Sequence, residues 1–242
     1  MRGRVLIAVA VLAALSGCQE SGFDESKETQ RPLKVQHALD PLTGTKVPGL
    51  AERPMTLGTD TLGDTLALGV KPVRAALPGG RLPDYLRAAA QGVEVVPPLT
   101  ELDLAATDAV DPDVILGTKE ANGELYDRLS RIAPTVMSEG DDWKLNLRLH
   151  GEALGRTNDA ERLLIDWDDR VAELRAALAD TAIGVVLAEP NGFGGSILAD
   201  LQVEPGRERD AIVRIDPTPE WSGGGILAAR AALDDLRERV SR

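Results

Sequence analysis

The sequence predicts an α/β protein with two lobes joined by one long α-helix, the second lobe being abbreviated. Short apolar runs alternate with helical stretches over residues 51–141, a pattern typical of a parallel sheet with packed helices. Residues 142–180 have the longest and most regular helical periodicity in the chain. Only two apolar runs follow within residues 181–242, and a lobe that small buries little surface by itself.

The first eighteen residues have the pattern of a lipoprotein signal peptide. Arg2 and Arg4 form a positive n-region, and residues 5–15 form a short apolar core. The next segment, Leu-Ser-Gly-Cys at 15–18, resembles a bacterial lipobox and predicts lipidation at Cys18. Because Cys18 is the only cysteine, no disulfide framework explains it. An ordinary signal peptide with an incidental cysteine is the alternative.

Residues 19–50 are predicted to be a tether followed by an N-terminal extension. The part up to about residue 34 is polar, with mixed charges and no periodicity, as in flexible linkers. Such a tether would hold the folded body away from the membrane surface.

The first lobe, residues 51–141, repeats a strand–helix pattern. Predicted strands cover 55–58, 70–75, 93–96, 114–117 and 135–138, and predicted helices cover 61–68, 102–110 and 121–132. Gly69 stands where the end of a helix favours glycine. The continuous apolar run at 114–117 is typical of a strand buried in a parallel sheet.

The segment 142–180 is predicted to contain the helix between the lobes. Asn158 is the predicted N-cap, and Glu161 completes a capping box. Twenty-odd residues that rise about 1.5 Å each give a rod of roughly 30 Å. On pattern alone, a surface helix of a single domain explains the segment equally well. The apolar face consists of Ala160, Leu163, Leu164, Trp167, Val171, Leu174 and Leu178.

The second lobe, residues 181–242, has predicted strands at 183–188 and 211–215 and predicted helices at 196–201 and 226–240. Ser196 is the predicted cap of the first helix, after a glycine-rich loop at 189–195. A loop at 216–225 contains Trp221.

Composition disfavours several classes of function. The net charge of -12 and the 3% aromatic content argue against a nucleic-acid surface. His37 and His150 are the only histidines, so neither a direct metal site nor a resident cofactor is predicted. Residues 192–196 resemble neither a nucleophile elbow nor a phosphate loop, and the chain is not predicted to be an enzyme.

Five segments occur in a distinctive order and spacing. They are VQHALDPLTGTKVP (35–48), ERPMTLGTDTLGDTLALGVKPV (52–73), GVEVVPPLTELDLAATDAVDPDVILGT (92–118), ELYDRLSRIAPTV (124–136) and WKLNLRLHGEALGRTNDAERLL (143–164). Together they resemble the substrate-binding lipoproteins of bacterial iron-siderophore ABC importers. In the second lobe, GSILADLQV (195–203) and EWSGGGILAARAALDDL (220–236) also resemble this family.

The resemblance implies a periplasmic-binding-protein-like fold with a single linking helix and a ferric siderophore bound between the lobes. It implies a monomer, anchored by lipid at the extracytoplasmic face of the cell membrane, that delivers its ligand to an ABC permease and ATPase. Iron would be present only as the bound chelate.

The chain departs from this family in two ways. A family glutamate implied to dock on the permease corresponds to Ala105, with Glu101 nearby on a predicted loop. The second lobe is shortened, so the stretch that would carry a second docking glutamate has no counterpart.

In open parallel sheets, ligands lie beyond the carboxyl ends of the strands. A bulky chelate, often anionic and with an apolar rim, requires cations or helix N-termini together with aromatic faces. Solvated surface charge explains Arg81 and Lys119 as readily, and core packing explains Tyr85 and Phe193. The predicted ligand-binding residues are Thr59, Asp60, Arg81, Tyr85, Lys119, Trp143, Phe193 and Trp221.

Two other functions fit the same scaffold. One is binding of another large chelate, haem or a corrinoid, although scarce aromatics and the lack of a well-placed histidine disfavour haem. The other is a degenerate, non-transporting membrane lipoprotein, in which Ala105 and the shortened lobe reflect lost delivery. Adjacent permease and ATPase genes would favour transport.

Overall fold

An antiparallel hairpin forms the first described part of the chain. The computed structural model describes residues 31–100, 103–179, 183–187, 192–202, 211–216 and 218–240; the lipobox and Cys18 lie outside them. Strand β1 covers Leu33–His37 and strand β2 covers Asp40–Val47. Val35 and His37, two residues apart on β1, are both buried, as alternating residues of a half-buried strand should be. Val47 at the end of β2 is buried as well. Folded structure therefore begins well ahead of residue 51, within the segment predicted to be tether and extension.

A five-stranded parallel sheet follows the hairpin. Its strands are β3 at Pro54–Thr56, β4 at Arg74–Ala76, β5 at Glu94–Val96, β6 at Val114–Thr118 and β7 at Thr135–Ser138. They lie in the order β5-β4-β3-β6-β7, and each neighbouring pair is parallel. The α/β class with a parallel sheet is confirmed. The hairpin attaches to the edge of this sheet, because Ala38 N–H donates to Met137 O at 3.0 Å.

Of the helices predicted between these strands, the first begins two residues earlier than predicted, and the other two are shorter or divided. The helices are α1 at Thr59–Ala67, α2 at Leu104–Asp108, α3 at Lys119–Asn122 and α4 at Tyr126–Leu129. The single helix predicted over 121–132 is instead divided by a 3-10 turn at Gly123–Leu125. The β4 strand begins at Arg74 rather than at residue 70, because Val70 N–H donates to Thr65 O at 3.1 Å and remains tied to the end of α1.

The predicted inter-lobe segment contains two helices rather than one. Helix α5 covers Trp143–Ala153 and helix α6 covers Thr157–Ala179. Gly155 has a φ of +69° and interrupts the helix, while Ala51 N–H donates to the freed Leu154 O at 3.2 Å. Asn158 therefore lies inside α6 and is not its cap. The apolar face predicted for α6 is correct, since Ala160, Leu164, Trp167, Val171, Leu174 and Leu178 are all buried.

The C-terminal part has two parallel strands in its described residues. They are β8 at Ile183–Leu187 and β9 at Ala211–Ile215. The helices are α7 at Gly192–Asp200, α8 at Pro219–Ser222 and α9 at Gly225–Val240. Ser196 lies within α7, where its Oγ donates to Phe193 O at 2.7 Å, so it does not cap the helix. Trp221 lies on α8 rather than in a loop.

One hydrophobic core joins both parts of the chain. Helix α9 packs against α1, α5 and α6, which returns the C-terminus to the first sheet. The largest cluster of buried residues includes Val35, Leu116, Trp167, Ile215 and Leu236. The C-terminal strands therefore share their core with α6 and with the five-stranded sheet.

Candidate ligand-binding cleft

A cavity of about 180 Å3 lies beyond the carboxyl edge of the parallel sheet. The chain reverses its direction across the sheet between β3 and β6, and ligands in such sheets bind at this switch point. The cavity is closed on the far side by α7 and by the turn before α9. Its walls consist of Asp60, Asp64, Gly140, Asp141, Trp143, Asn146, Phe193 and Gly223, Gly224 and Gly225.

Asp64 ties three helices together beneath the cavity. Its side chain is 1% exposed and projects from α1. Oδ1 accepts from Ile226 N–H of α9 at 2.8 Å, and Oδ2 lies 2.8 Å from His150 Nδ1 of α5. A carboxylate at the first turn of a helix satisfies free N–H groups and complements the helix dipole. Asp64 thus acts as a cap supplied to α9 by a distant part of the chain.

Asp60 is a half-buried carboxylate in the first turn of α1. Burial raises the pKa of Asp60 above its ordinary value, and the neighbouring Asp64 adds to this, while His150 acts in the opposite direction. Its neighbour Thr59 donates through Oγ1 to Gly223 O at 3.3 Å. These two predicted residues therefore meet the turn before α9.

Glycines 223–225 allow the close approach of this turn. Gly224 and Gly225 have φ angles of +73° and +79°, which favour glycine. A Cβ at Gly225 would lie 2.8 Å from Asp64 Oδ1 and 3.0 Å from Asp60 O. A side chain there would push α9 away from α1.

Trp143 and Phe193 form the aromatic wall of the cavity. Trp143 begins α5, which Asp142 caps by accepting from Leu145 N–H at 3.0 Å. Its ring packs edge-on against Phe193, with centroids 6.3 Å apart, and against Trp167, with centroids 5.0 Å apart. Trp143 is 3% exposed, and its indole N–H has no acceptor among the described residues.

Asp141 approaches the start of α7 from the opposite side of the cavity. A Cβ at Gly192, the first residue of α7, would overlap the Asp141 carboxylate. This glycine therefore lets a carboxylate from the end of β7 sit against the N-terminus of a helix in the C-terminal part, where negative charge is favoured.

Besides Thr59, four of the predicted binding residues lie outside the cavity lining. Arg81 is exposed in the loop after β4. Lys119 is exposed and forms an ion pair of 2.8 Å with Glu139, which raises the pKa of Lys119. Trp221 is 1% exposed, and its indole N–H donates to Asp235 Oδ2 at 2.9 Å.

Tyr85 is the fourth of these residues. It is half-buried against two core clusters, and burial raises the pKa of its hydroxyl. The hydroxyl lies so close to Gly223 that a Cβ there would come within 2.5 Å of it. The Tyr85 hydroxyl therefore packs against the glycine turn at residues 223–225.

Three cavity residues with polar side chains are absent from the sequence prediction. Asp64 and Asn146 lie within helices, whereas the rule that ligands bind beyond strand ends selects loop residues only. Asp141 follows β7 closely, and the same rule applies to it. The signal at Asp141 was therefore available, whereas Asp64 required knowledge of how α1 and α9 pack.

A second cavity, of about 470 Å3, lies on the other side of α5. It separates the hairpin from α5 and is remote from the switch point of the sheet. Its walls include Gln36, Ala38, Met137, Leu145 and Leu149.

Among the described residues, no group of three or more His, Cys, Asp or Glu residues is arranged to hold a metal ion. Among the described helices, none combines the length and hydropathy needed to cross a bilayer.

Residues 56–205 match the model of the periplasmic binding protein family, Peripla_BP_2. This match covers more than half of the chain. The chain belongs to the periplasmic binding protein family. Its members are solute-binding proteins. The matched residues include strands β4 to β7 and the last residue of β3, both helices of the 142–180 segment and the start of the C-terminal part.

Named relatives share this sequence similarity. The chain is 34% identical over 179 residues to the "Probable siderophore-binding lipoprotein YfiY" of Bacillus subtilis, covering 72% of this chain and 54% of that protein. It is 31% identical over 196 residues to the "Achromobactin-binding periplasmic protein" of Dickeya dadantii, covering 71% of this chain and 64% of that protein. The chain thus spans about half to two thirds of the length of these relatives.

Solved structures share the fold. Staphylococcus aureus SirA complexed with staphyloferrin B superposes with a TM-score of 0.70 at 23% identity, covering 86% of this chain and 98% of that chain. A periplasmic solute binding protein from Mycobacterium smegmatis gives 0.69 at 20% identity, covering 87% and 98%. At these identities the likeness establishes the fold.

Proposed function

We propose that this protein captures a ferric siderophore outside the cytoplasm and hands it to an ABC importer. The observation that carries the proposal is the similarity to the family and to relatives named for siderophore binding. The position of the cavity, at the switch point of a parallel sheet and against the C-terminal part, supports the same function.

The cavity is smaller than the pockets of about 300–1,000 Å3 that typically enclose drug-sized ligands. A ferric chelate would therefore insert one part into the cavity and rest the remainder on the strand-end loops. Trp143 and Phe193 would face the inserted part, while Arg81 and Lys119 lie at the exposed carboxyl edge of the sheet. Iron would arrive already chelated.

Membrane attachment and delivery are also part of the proposal. Cys18 would carry the lipid, and residues 19–30 would connect it to the hairpin. Ala105 is exposed on α2, at the position where the resemblance places a docking glutamate. Contact with a permease would therefore have to use other groups on this surface.

Fluorescence titration tests the binding function. The full chain carrying Cys18→Ser would be purified in detergent and titrated with a panel of ferric siderophores while tryptophan emission is followed. We expect saturable quenching by one class of chelate, because Trp143 forms a wall of the cavity.

Two variants locate the bound chelate. Trp143→Phe keeps an aromatic ring in the core but removes the indole, and it should abolish most of the quenching. Trp221→Phe serves as the matched control, because Trp221 is buried outside the cavity. A folded protein that no chelate quenches would contradict the proposed function.

A further inference from the structure

The cavity beyond the parallel sheet has an unusual charge for a site that would receive an anionic chelate. Three of its lining residues are carboxylates, Asp60, Asp64 and Asp141. No lysine, arginine or histidine belongs to its described lining. An anionic group inside the cavity would therefore meet charges of its own sign.

The cations near this edge of the sheet are engaged elsewhere. Lys119 pairs with Glu139 at 2.8 Å, and Lys144 pairs with Asp200 at 2.7 Å while lying 5.6 Å from the Trp143 ring centroid. Arg81 is exposed and does not line the cavity. None of these cations neutralises the lining.

The three carboxylates differ in how well the protein satisfies them. Asp64 has two close partners, His150 Nδ1 and Ile226 N–H. Asp141 sits against the N-terminus of α7, which partly compensates its charge. Asp60 accepts backbone hydrogen bonds from Thr61 and from its own N–H, yet burial still raises its pKa. A bound cation would relieve the cost of keeping Asp60 ionised.

The rest of the lining matches a cationic alkyl arm. Trp143 and Phe193 offer aromatic surface, which attracts ammonium groups and covers methylene groups. The buried Trp143 indole N–H lacks an acceptor among the described residues. A cavity of about 180 Å3 is suited to a single arm rather than to a whole chelate.

We infer that this cavity receives a primary ammonium arm of the ligand, and that the protein prefers ferric chelates bearing such an arm to anionic chelates. This inference rests on the proposed function and specifies its substrate class. Asp60 and Asp141 supply the charge, and Trp143 and Phe193 supply the faces.

A matched pair of chelates tests the inference. Ferrioxamine B is a ferric tris-hydroxamate with a pendant primary ammonium, and its N-acetylated form replaces that charged group with a neutral amide while keeping the same iron-binding groups. Calorimetric titration of the full chain with each should show at least about tenfold tighter binding of the ammonium form, as expected for a desolvated charge pair. A strongly anionic ferric tris-catecholate should bind more weakly than both.

Variants assign the preference to the cavity. Asp60→Asn and Asp141→Asn should each lower the ratio of the two affinities, with the double variant bringing it close to one. Asp127→Asn, which removes an exposed carboxylate on α4, is the control and should leave the ratio unchanged. Thermal melts followed by circular dichroism establish that each variant is folded.

The possible outcomes separate the two claims. Equal affinities for the paired chelates, or tighter binding of the tris-catecholate, would overturn the ammonium inference while leaving siderophore binding intact. If the folded double variant, Asp60→Asn with Asp141→Asn, still preferred the ammonium chelate, this cavity could not be the site that recognises the ammonium arm. Binding of no ferric chelate at all would overturn the proposed function together with the inference.

Discussion

At the scale of single residues, two aspartates of α1 beside the cavity have different surroundings and therefore different roles. Asp60 and Asp64 are one turn apart on α1 and both face the cavity. Asp64 is fully buried and holds α5 and α9 in place through two hydrogen-bond partners. Asp60 accepts backbone hydrogen bonds within its own helix turn and is part of the cavity lining. Asp60 is therefore suited to binding and Asp64 to stability.

The raised pKa of Asp60 predicts that discrimination between the paired chelates depends on pH. Protonated Asp60 carries no charge, so the preference for the ammonium form should be full above the raised pKa and should decline as pH falls through it. His150 and Asp64 are the ionisable neighbours that modulate this titration. Calorimetric titrations at a series of pH values above and below the pKa of free aspartate measure the ratio directly.

Asp60→Asn is the control for this pH dependence. Its affinity ratio should be lower than that of the wild type and should change less with pH over the same range, because Asp141 then supplies the remaining charge. A wild-type ratio that stays constant into acid, in a protein that remains folded, would contradict a role for Asp60 in the recognition.

Removing the Asp64 carboxylate should destabilise the protein strongly. Asp64→Ala leaves a cavity and deprives both His150 and Ile226 N–H of their acceptor in the interior. Loss of a buried, paired carboxylate costs about 3–5 kcal/mol. Urea denaturation should show this decrease in the free energy of unfolding, whereas the exposed Asp127→Ala should change it by less than about 0.5 kcal/mol. A small effect of Asp64→Ala would mean that α1, α5 and α9 stay together without it.

At the scale of secondary-structure elements, a glycine decides where the long helical stretch breaks. Gly155 adopts a left-handed φ and its Cα faces the backbone of Gly49, so that a Cβ would overlap the Gly49 carbonyl oxygen. Helix α6 consequently leaves α5 at a fixed point, next to the segment that enters β3.

Comparison of two glycines separates backbone strain from steric overlap. Gly69 also has a positive φ, +77°, but a Cβ there would meet nothing within 4 Å. Gly69→Ala should therefore cost only the left-handed conformation, about 1–2 kcal/mol. Gly155→Ala should cost at least about 1 kcal/mol more, because the Gly49 backbone must shift.

Chemical denaturation of both variants measures this difference. Equal losses would show that the strained backbone accounts for the whole effect and that the approach of Gly49 is easily relaxed. A larger loss in Gly155→Ala, accompanied by a weaker association of α5 with α6, would support steric control of the helix break.

The sequence predicted elements well wherever local pattern and tertiary packing agree. Strands β7 and β9 occur at the predicted residues, and the buried face of α6 is the predicted one, because apolar periodicity directly reflects burial. The hairpin was not predicted, because its buried positions carry only two apolar side chains, Val35 and Val47, beside the polar His37. The break at Gly155 depends on contact with Gly49, which is more than one hundred residues away in the chain.

The candidate site was predicted only where it follows from the end of a strand. Asp60, Trp143 and Phe193 line the cavity, and each belongs to a strand-end loop or to the helix that follows it. Trp221 follows a strand as well, but its indole turns into the core and donates to Asp235. The ligand-binding role of all eight residues stays a prediction, and Asp64 shows that packing between distant helices contributes groups that the strand-end rule omits.

At the scale of the whole molecule, α9 links the C-terminal strands to the first sheet. Three ion pairs connect α9 to α6 alongside the apolar contact between these helices. They are Arg170–Asp234, Arg230–Asp166 and Arg237–Glu173. Pairs that are this exposed contribute little each. The continuous apolar core is therefore the main reason that the small C-terminal part is folded.

A shared core predicts that the protein unfolds as one cooperative unit. Leu116 on β6 and Ile215 on β9 are both almost fully buried and belong to the same cluster. Truncation of either side chain to alanine should cost about 2–5 kcal/mol. Differential scanning calorimetry should then show, for Leu116→Ala and for Ile215→Ala, a single transition shifted to lower temperature, with equal calorimetric and van't Hoff enthalpies. A separate low-temperature transition in Ile215→Ala, with the main transition unchanged, would instead show that the C-terminal strands are an independent unit. The cavity would then lie between two bodies that fold separately.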